Sequence, residues 1–164
     1  MLRPRRISFR VARARGGELL FHRSMRPQQQ PASRDGNVLA AISDEMVRLY
    51  KEQFGRGPMR ARTFWAGKDM LSVVLEETLT PAERRMRTMG EHQRLRDQRN
   101  FFQYASVREF VEPIERLTGR RVKAFISGMD TEEDIAVENF VLHPEGSTAP
   151  SRIEKAEPID PGAD

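Results

Sequence analysis

Cysteine is absent from this chain, which removes disulfide staples, thiolate metal sites and cysteine nucleophiles together. That fits a reducing compartment, and the cytoplasm is the expected location. Long apolar runs are missing as well. No stretch approaches the roughly 20 residues that a membrane-spanning helix needs, and the opening MLRPRRISFRVARARGG carries arginines where a secretory signal has its apolar segment. Any membrane link is expected to run through a partner. Histidine is scarce: His22, His92 and His143 form no HxH or HxxxH pair, so no metal site is assigned. His92 reads as a solvated helix-surface side chain.

At 164 residues the chain suits one domain. Its basic character is unevenly placed. Residues 1–35 carry nine arginines against Glu18 and Asp35, a net +7, whereas residues 36–145 carry 17 basic and 18 acidic residues, and residues 146–164 two against four. The body is therefore neutral, and the basicity belongs to a leading segment that also contains the linker-like run Pro27 to Pro31. The expected organisation is a disordered basic tail over 1–36, a domain over 37–144 and a disordered acidic tail over 145–164. Met25 offers a second candidate start for translation.

From Asn37 the pattern becomes helical. Leu39, Ile42, Met46 and Leu49 recur at steps of three and four, and Gly55 followed by Gly57-Pro58 stops the helix. Two strands follow, 59–66 and 70–77, joined by Gly67-Lys68-Asp69. A three-residue loop puts Met59, Ala61, Thr63 and Trp65 on the same face as Leu71, Val73 and Leu75, and sets Arg60 opposite Glu76 on the other face. Thr80-Pro81-Ala82-Glu83 is a capping box with proline at the first helical position, and Ser106-Val107-Arg108-Glu109 reads as a second box. The helix after that second box carries Val107, Phe110, Ile114 and Leu117, is interrupted by Pro113 and closes at Gly119. Strands 121–127 and 135–142 complete the order α-β-β-α-α-β-β. This is an α+β two-layer sandwich, an antiparallel four-stranded sheet with helices on one face.

Candidate sites each have a plainer reading. Asp130, Glu132 and Asp134 alternate as calcium ligands do, yet Ile135 stands where a calcium loop needs glycine, so the segment reads as a solvated hairpin tip. Gly55-Arg56-Gly57 follows a helix and precedes a strand, the reverse of a phosphate loop, and is a helix stop. Arg84, Arg85, Arg87, Arg94, Arg96 and Arg99, taken as one helix with Glu83, Glu91 and Asp97 interleaved, resemble an ion-paired solvent face more than a groove reader. No nucleophile and base converge, so no catalytic or cofactor-binding residue is assigned and no cofactor is expected.

The sheet face opposite the helices is the most informative feature. Strand alternation assigns it Arg60, Arg62, Phe64, Val74, Glu76, Lys123, Phe125, Glu138 and Phe140. Three phenylalanines on a nominally solvated face mark an interface, the alternative being that a tail or the Phe101-Phe102 segment covers part of it. The residues assigned to it are Arg60, Arg62, Phe64, Val74, Glu76, Lys123, Phe125 and Phe140, and a homo-oligomer is expected.

Gly55-Arg56-Gly57-Pro58 at a helix end, Leu79-Thr80-Pro81-Ala82-Glu83 after a hairpin, and Leu117-Thr118-Gly119-Arg120-Arg121-Val122 leading into a strand together resemble the MpsC-like domain family over about residues 37–144. The resemblance implies association with a sodium-translocating, membrane-potential-generating system related to inorganic-carbon uptake, and it carries no catalytic residues. The resulting expectation is a non-enzymatic accessory or regulatory domain, oligomeric and partnering a membrane ion or inorganic-carbon transport protein. The alternatives are a nucleic-acid-associated regulator using the arginine-rich tail, and an enzyme of unknown class.

Overall fold

The computed structural model describes residues 34–155. The apolar stripe of the first helix, α1 (Arg34–Phe54), buries Ile42, Met46, Leu49 and Tyr50, and the chain leaves it at Gly55 with φ of 74°. That left-handed conformation suits glycine, which lacks the Cβ that would clash there. β1 (Arg60–Trp65) and β2 (Met70–Glu76) then form the expected hairpin. Its register pairs Arg60 with Glu76 and Trp65 with Leu71, as the parity of a three-residue loop requires.

α2 (Pro81–Thr88) starts on a complete capping box, with the Thr80 hydroxyl accepting from the Glu83 amide and the Glu83 carboxylate accepting from the Thr80 amide. The arginine-rich segment is not one helix. It breaks at Gly90, φ 78°, and resumes as α3 (His92–Ala105) without a side-chain N-cap. The second expected box does not form either: Ser106 has φ −104° and ψ 24° instead of the extended backbone of an N-cap, makes no side-chain cap bond, and its hydroxyl accepts from Gln53 of α1 at 2.8 Å. α4 (Val107–Thr118) runs through Pro113, buries Val107, Phe110, Val111, Pro113 and Ile114, and ends at Gly119 in the left-handed conformation.

β3 (Val122–Asp130) and β4 (Ile135–Leu142) close the sheet, whose order is β1-β2-β4-β3 with every pairing antiparallel. β4 is thus a central strand beside β2, and β1 and β3 are the edges. The inward faces of the strands and the stripes of α1 and α4 form one core, with Phe110 stacked on Phe125 at 5.4 Å and Phe125 against Phe140 at 5.1 Å. Each such ring pair adds about 0.5 to 1.5 kcal/mol to the burial itself. This is the α+β two-layer architecture read from the sequence.

Two expectations change. Phe125 and Phe140 face the core rather than the open side of the sheet, being 4 % and 0 % exposed. On β4, the alternate residues Ala136, Glu138, Phe140 and Leu142 are the buried set, and the carboxylate among them makes that set look like the solvent side. On β3, an irregularity between Val122 and Ala124 shifts the alternation, so that Val122 and Phe125 both point inward and Lys123 outward. The chain beyond residue 144, expected as tail, continues into a capped 3-10 turn at Arg152–Glu154, with Ser151 buried and Ile153 packed on the core. The basic segment 1–33 lies outside the described residues, as does 156–164.

Candidate functional site

On the uncovered side of the sheet, alternation brings up Arg60, Arg62 and Phe64 from β1, Met70, Ser72, Val74 and Glu76 from β2, Ile135, Val137, Asn139 and Val141 from β4, and Ile126 from β3. No described element lies across them. Phe64 is 44 % and Ile126 51 % exposed. Glu76 gathers both edge arginines, at 2.6 Å from Arg62 and 3.4 Å from Arg60, while Ser72 and Asn139 hydrogen-bond across the strands at 2.9 Å. Of the eight residues assigned to this face from sequence, five stand together on it: Arg60, Arg62, Phe64, Val74 and Glu76. Lys123 is exposed at the β3 edge, and Phe125 and Phe140 are beneath it in the core.

The helix-covered side holds a buried polar cluster that periodicity did not announce. Glu138 sits at mid-strand in β4, fully buried. Its Oε1 accepts from the Tyr50 hydroxyl of α1 at 2.6 Å and from Gln103 Nε2 of α3 at 2.7 Å, and Gln103 Oε1 accepts in turn from Ser127 of β3 at 2.6 Å. Nearby Arg99 of α3, 1 % exposed, lies over the Phe54 ring at 3.9 Å. It donates Nε and Nη2 to the two Glu83 oxygens at 2.5 and 2.6 Å and Nη2 to the Thr78 carbonyl. Arg99 Nη1 and Glu138 Oε2 are buried with no partner among the described residues.

Burial pushes the Glu138 carboxyl up to about 8, against the pull of the Tyr50 hydrogen bond and the Arg99 charge. Burial also raises the Tyr50 phenol well above its ordinary range, and the neighbouring Glu138 adds to this. Glu83 goes the other way. Burial works to raise it, but the Arg99 guanidinium and the Thr80 bonds outweigh that and hold it below the usual carboxylate range. The physical difference is pairing: Glu83 holds the guanidinium in two bonds, leaving Glu138 with neutral donors only.

Other expected sites resolve into anchors. Asp134, φ 54° and 7 % exposed, is not at a solvated tip: its carboxylate accepts from the amides of Thr78 and Leu79 at 2.8 and 3.0 Å, tying the β3–β4 turn to the start of α2. His92 is not fully solvated; its Nδ1 is 2.8 Å from the Thr131 hydroxyl. Arg56 donates to the Leu79 carbonyl at 2.5 Å, and Arg120 to the His143 carbonyl and to Asp69. Among the described residues no group of three His, Asp or Glu side chains is arranged to hold a metal ion, and no helix is long and apolar enough to cross a membrane.

The family model described as Na+-translocating membrane potential-generating system (MpsC) matches residues 34–144, which spans α1 to β4. No curated protein and no solved structure matches the chain.

Proposed function

Because this chain belongs to the MpsC family, we propose that it is a non-enzymatic accessory or regulatory domain of a membrane ion-transport system, acting through contact with other proteins and first of all with a second copy of itself. The observation that carries this reading is the uncovered sheet face. Four strands spaced about 4.8 Å apart, each advancing about 3.3 Å per residue, outline a patch of roughly 400 Å² in projection. Phe64, Val74, Val137, Val141 and Ile126 surround a central Ser72–Asn139 hydrogen bond, and the β1 edge carries the Arg60, Arg62 and Glu76 ion pairs. Exposed apolar side chains around a satisfied polar pair, with charges along one edge, suit a mixed protein–protein interface. Two such faces stack about 10 Å apart around a two-fold axis, burying the same residues from each copy.

Two such patches bury about 800 Å² together, below the roughly 1,000 Å² of a stable specific interface, so pairing is expected to be weak and to depend on concentration. Sedimentation velocity of the full chain over a concentration series should show a monomer–dimer equilibrium. Phe64→Glu should shift it to monomer without loss of fold, because the new carboxylate would be buried unpaired only in the dimer. Phe125→Glu should instead unfold the chain, since that ring lies in the core. A wild-type chain that stays monomeric at the highest concentration, or a Phe64→Glu chain that pairs as well as wild type, rejects the reading.

A further inference from the structure

α3 is attached differently from its neighbours. Its inward stripe is Leu95, Arg99 and Gln103, spaced four apart, so only one of the three buried positions is apolar. α4 by contrast buries five apolar residues in twelve. The rings of α3 lie at its margins: Phe101 is 69 % exposed, while Phe102 and Tyr104, 42 % and 43 % exposed, rest edge-on against Phe54 and Phe125. The helix also stands between two breaks, Gly90 in the left-handed conformation before it and the uncapped Ser106 after it. An element with little apolar burial and a discontinuity at each end opens at lower free energy than the core. The polar cluster ties its middle, through Gln103 to Glu138 and Ser127 and through Arg99 to Glu83 and Thr78, while its ends are held by His92 and Arg96 at Thr131 and by Gln53 at the Phe102 carbonyl.

We propose that Glu138 is a protonation-controlled latch for α3: with its carboxyl neutral it holds the helix on the sheet, and its ionisation releases the helix and uncovers the aromatic strip beneath. The two donors on Oε1 leave Oε2 to carry the proton. The groups facing it are few. α1 presents the Tyr50 phenol and α3 the Arg99 guanidinium, whose charge is already matched by Glu83 of α2. β2 presents Val73 and β3 Ser127, neither of them charged. Loss of the proton therefore places two buried carboxylates on one guanidinium, a net negative charge in an interior that cannot solvate it. β4 is central in the sheet and cannot move, whereas α3 can lift and admit water. Lifting would expose Phe54 and Phe125, which Phe102 and Tyr104 now contact edge-on. Because burial raises the latched carboxyl from 4.5 to about 8, opening of the helix becomes progressively more favourable as pH rises between those values and levels off above about 8.

The inference is independent of the role proposed for the other side of the sheet. It is tested on the full chain by carboxyl 13C NMR titration of Glu138 and by backbone hydrogen exchange at pH 6.5 and 9, corrected for the intrinsic pH dependence of exchange. Glu138 should titrate near 8. Residues 92–105 should lose at least about tenfold in protection between the two pH values while β2 and β4 keep theirs, the signature of local opening. Glu138→Gln, which stays neutral and keeps an acceptor for Tyr50, should hold α3 protected at both pH values. A Glu138 titration below pH 6, a protection loss shared by helix and sheet, or an undiminished loss in Glu138→Gln overturns the proposal. Should that variant fail to fold, the wild-type titration and exchange decide alone.

Discussion

Glu83 and Glu138 belong to one buried cluster and are driven in opposite directions, so their contributions to stability run oppositely with pH. The Glu138 carboxyl is raised from 4.5 to about 8 in the fold, so the native state binds more protons than the unfolded chain between those values. Its contribution is complete below about pH 4.5, declines as pH rises, and is gone above about 8, a slope of about 1.4 kcal/mol per pH unit. Glu83 is lowered, so its contribution is present above 4.5 and is lost as pH falls through its folded value. Urea denaturation from about pH 3 to 8.5 should therefore show wild-type stability falling as pH rises from 5, and a Glu138→Gln chain should be nearly flat above pH 5 while keeping the decline on the acid side. A Glu138→Gln profile parallel to wild type would mean that the carboxyl is ionised in the fold.

At the scale of elements, the break between α2 and α3 turns one arginine-rich segment into two helices with different duties. α2 keeps Arg84, Arg85 and Arg87 near the surface; α3 carries Arg99 inward beneath α1. A continuous helix would fix the phase of Arg99 relative to Glu83, whereas the turn at Gly90 lets α3 fold back so that the two meet at 2.5 Å. Nothing lies within 4 Å of a Cβ built at Gly90, so substitution there meets only backbone strain at φ 78°. Gly90→Ala should cost about 1 to 2 kcal/mol, and Gly90→Asn markedly less, because asparagine tolerates that conformation. Thermal melts of the two variants check this; equal losses would point to something other than backbone conformation.

Across the whole molecule, the segment after β4 behaves as a strap on the outer side of α4 and β3. The buried Ser151 hydroxyl donates to Glu115 at 2.6 Å, Arg121 pairs with Glu154 at 2.7 Å, and Ile153 packs on the core. The domain therefore runs at least to the 3-10 turn, past the Pro144 at which composition changes. Replacing Ser151 and Ile153 together by alanine in the full chain should lower stability by about 2 kcal/mol or more, from the lost hydrogen bond to Glu115, the lost cap bond from the Ile153 amide and part of one apolar side chain. Calorimetry reads this directly, and a melt unchanged from wild type would show that the strap contributes no stability.

The helix stops at Gly55 and Gly119, the capping box at Thr80 and the register of β1 with β2 were all determined by the sequence, because each depends on residues close together in the chain. The orientation of the second hairpin was not so determined. Periodicity can say that Glu138 and Phe140 share a face, but not which face, when one alternate set contains a carboxylate and the other an asparagine. Only the packing of β4 beside β2, under Tyr50 and Gln103, decided that this carboxylate is buried and the phenylalanines with it. A polar residue reads as a surface residue until its partners are known, and here those partners lie 35 and 88 residues away along the chain. The uncovered sheet face follows from the same pairing: once β4 is turned, Val137 and Val141 replace Phe140 on it, beside Phe64 and Val74.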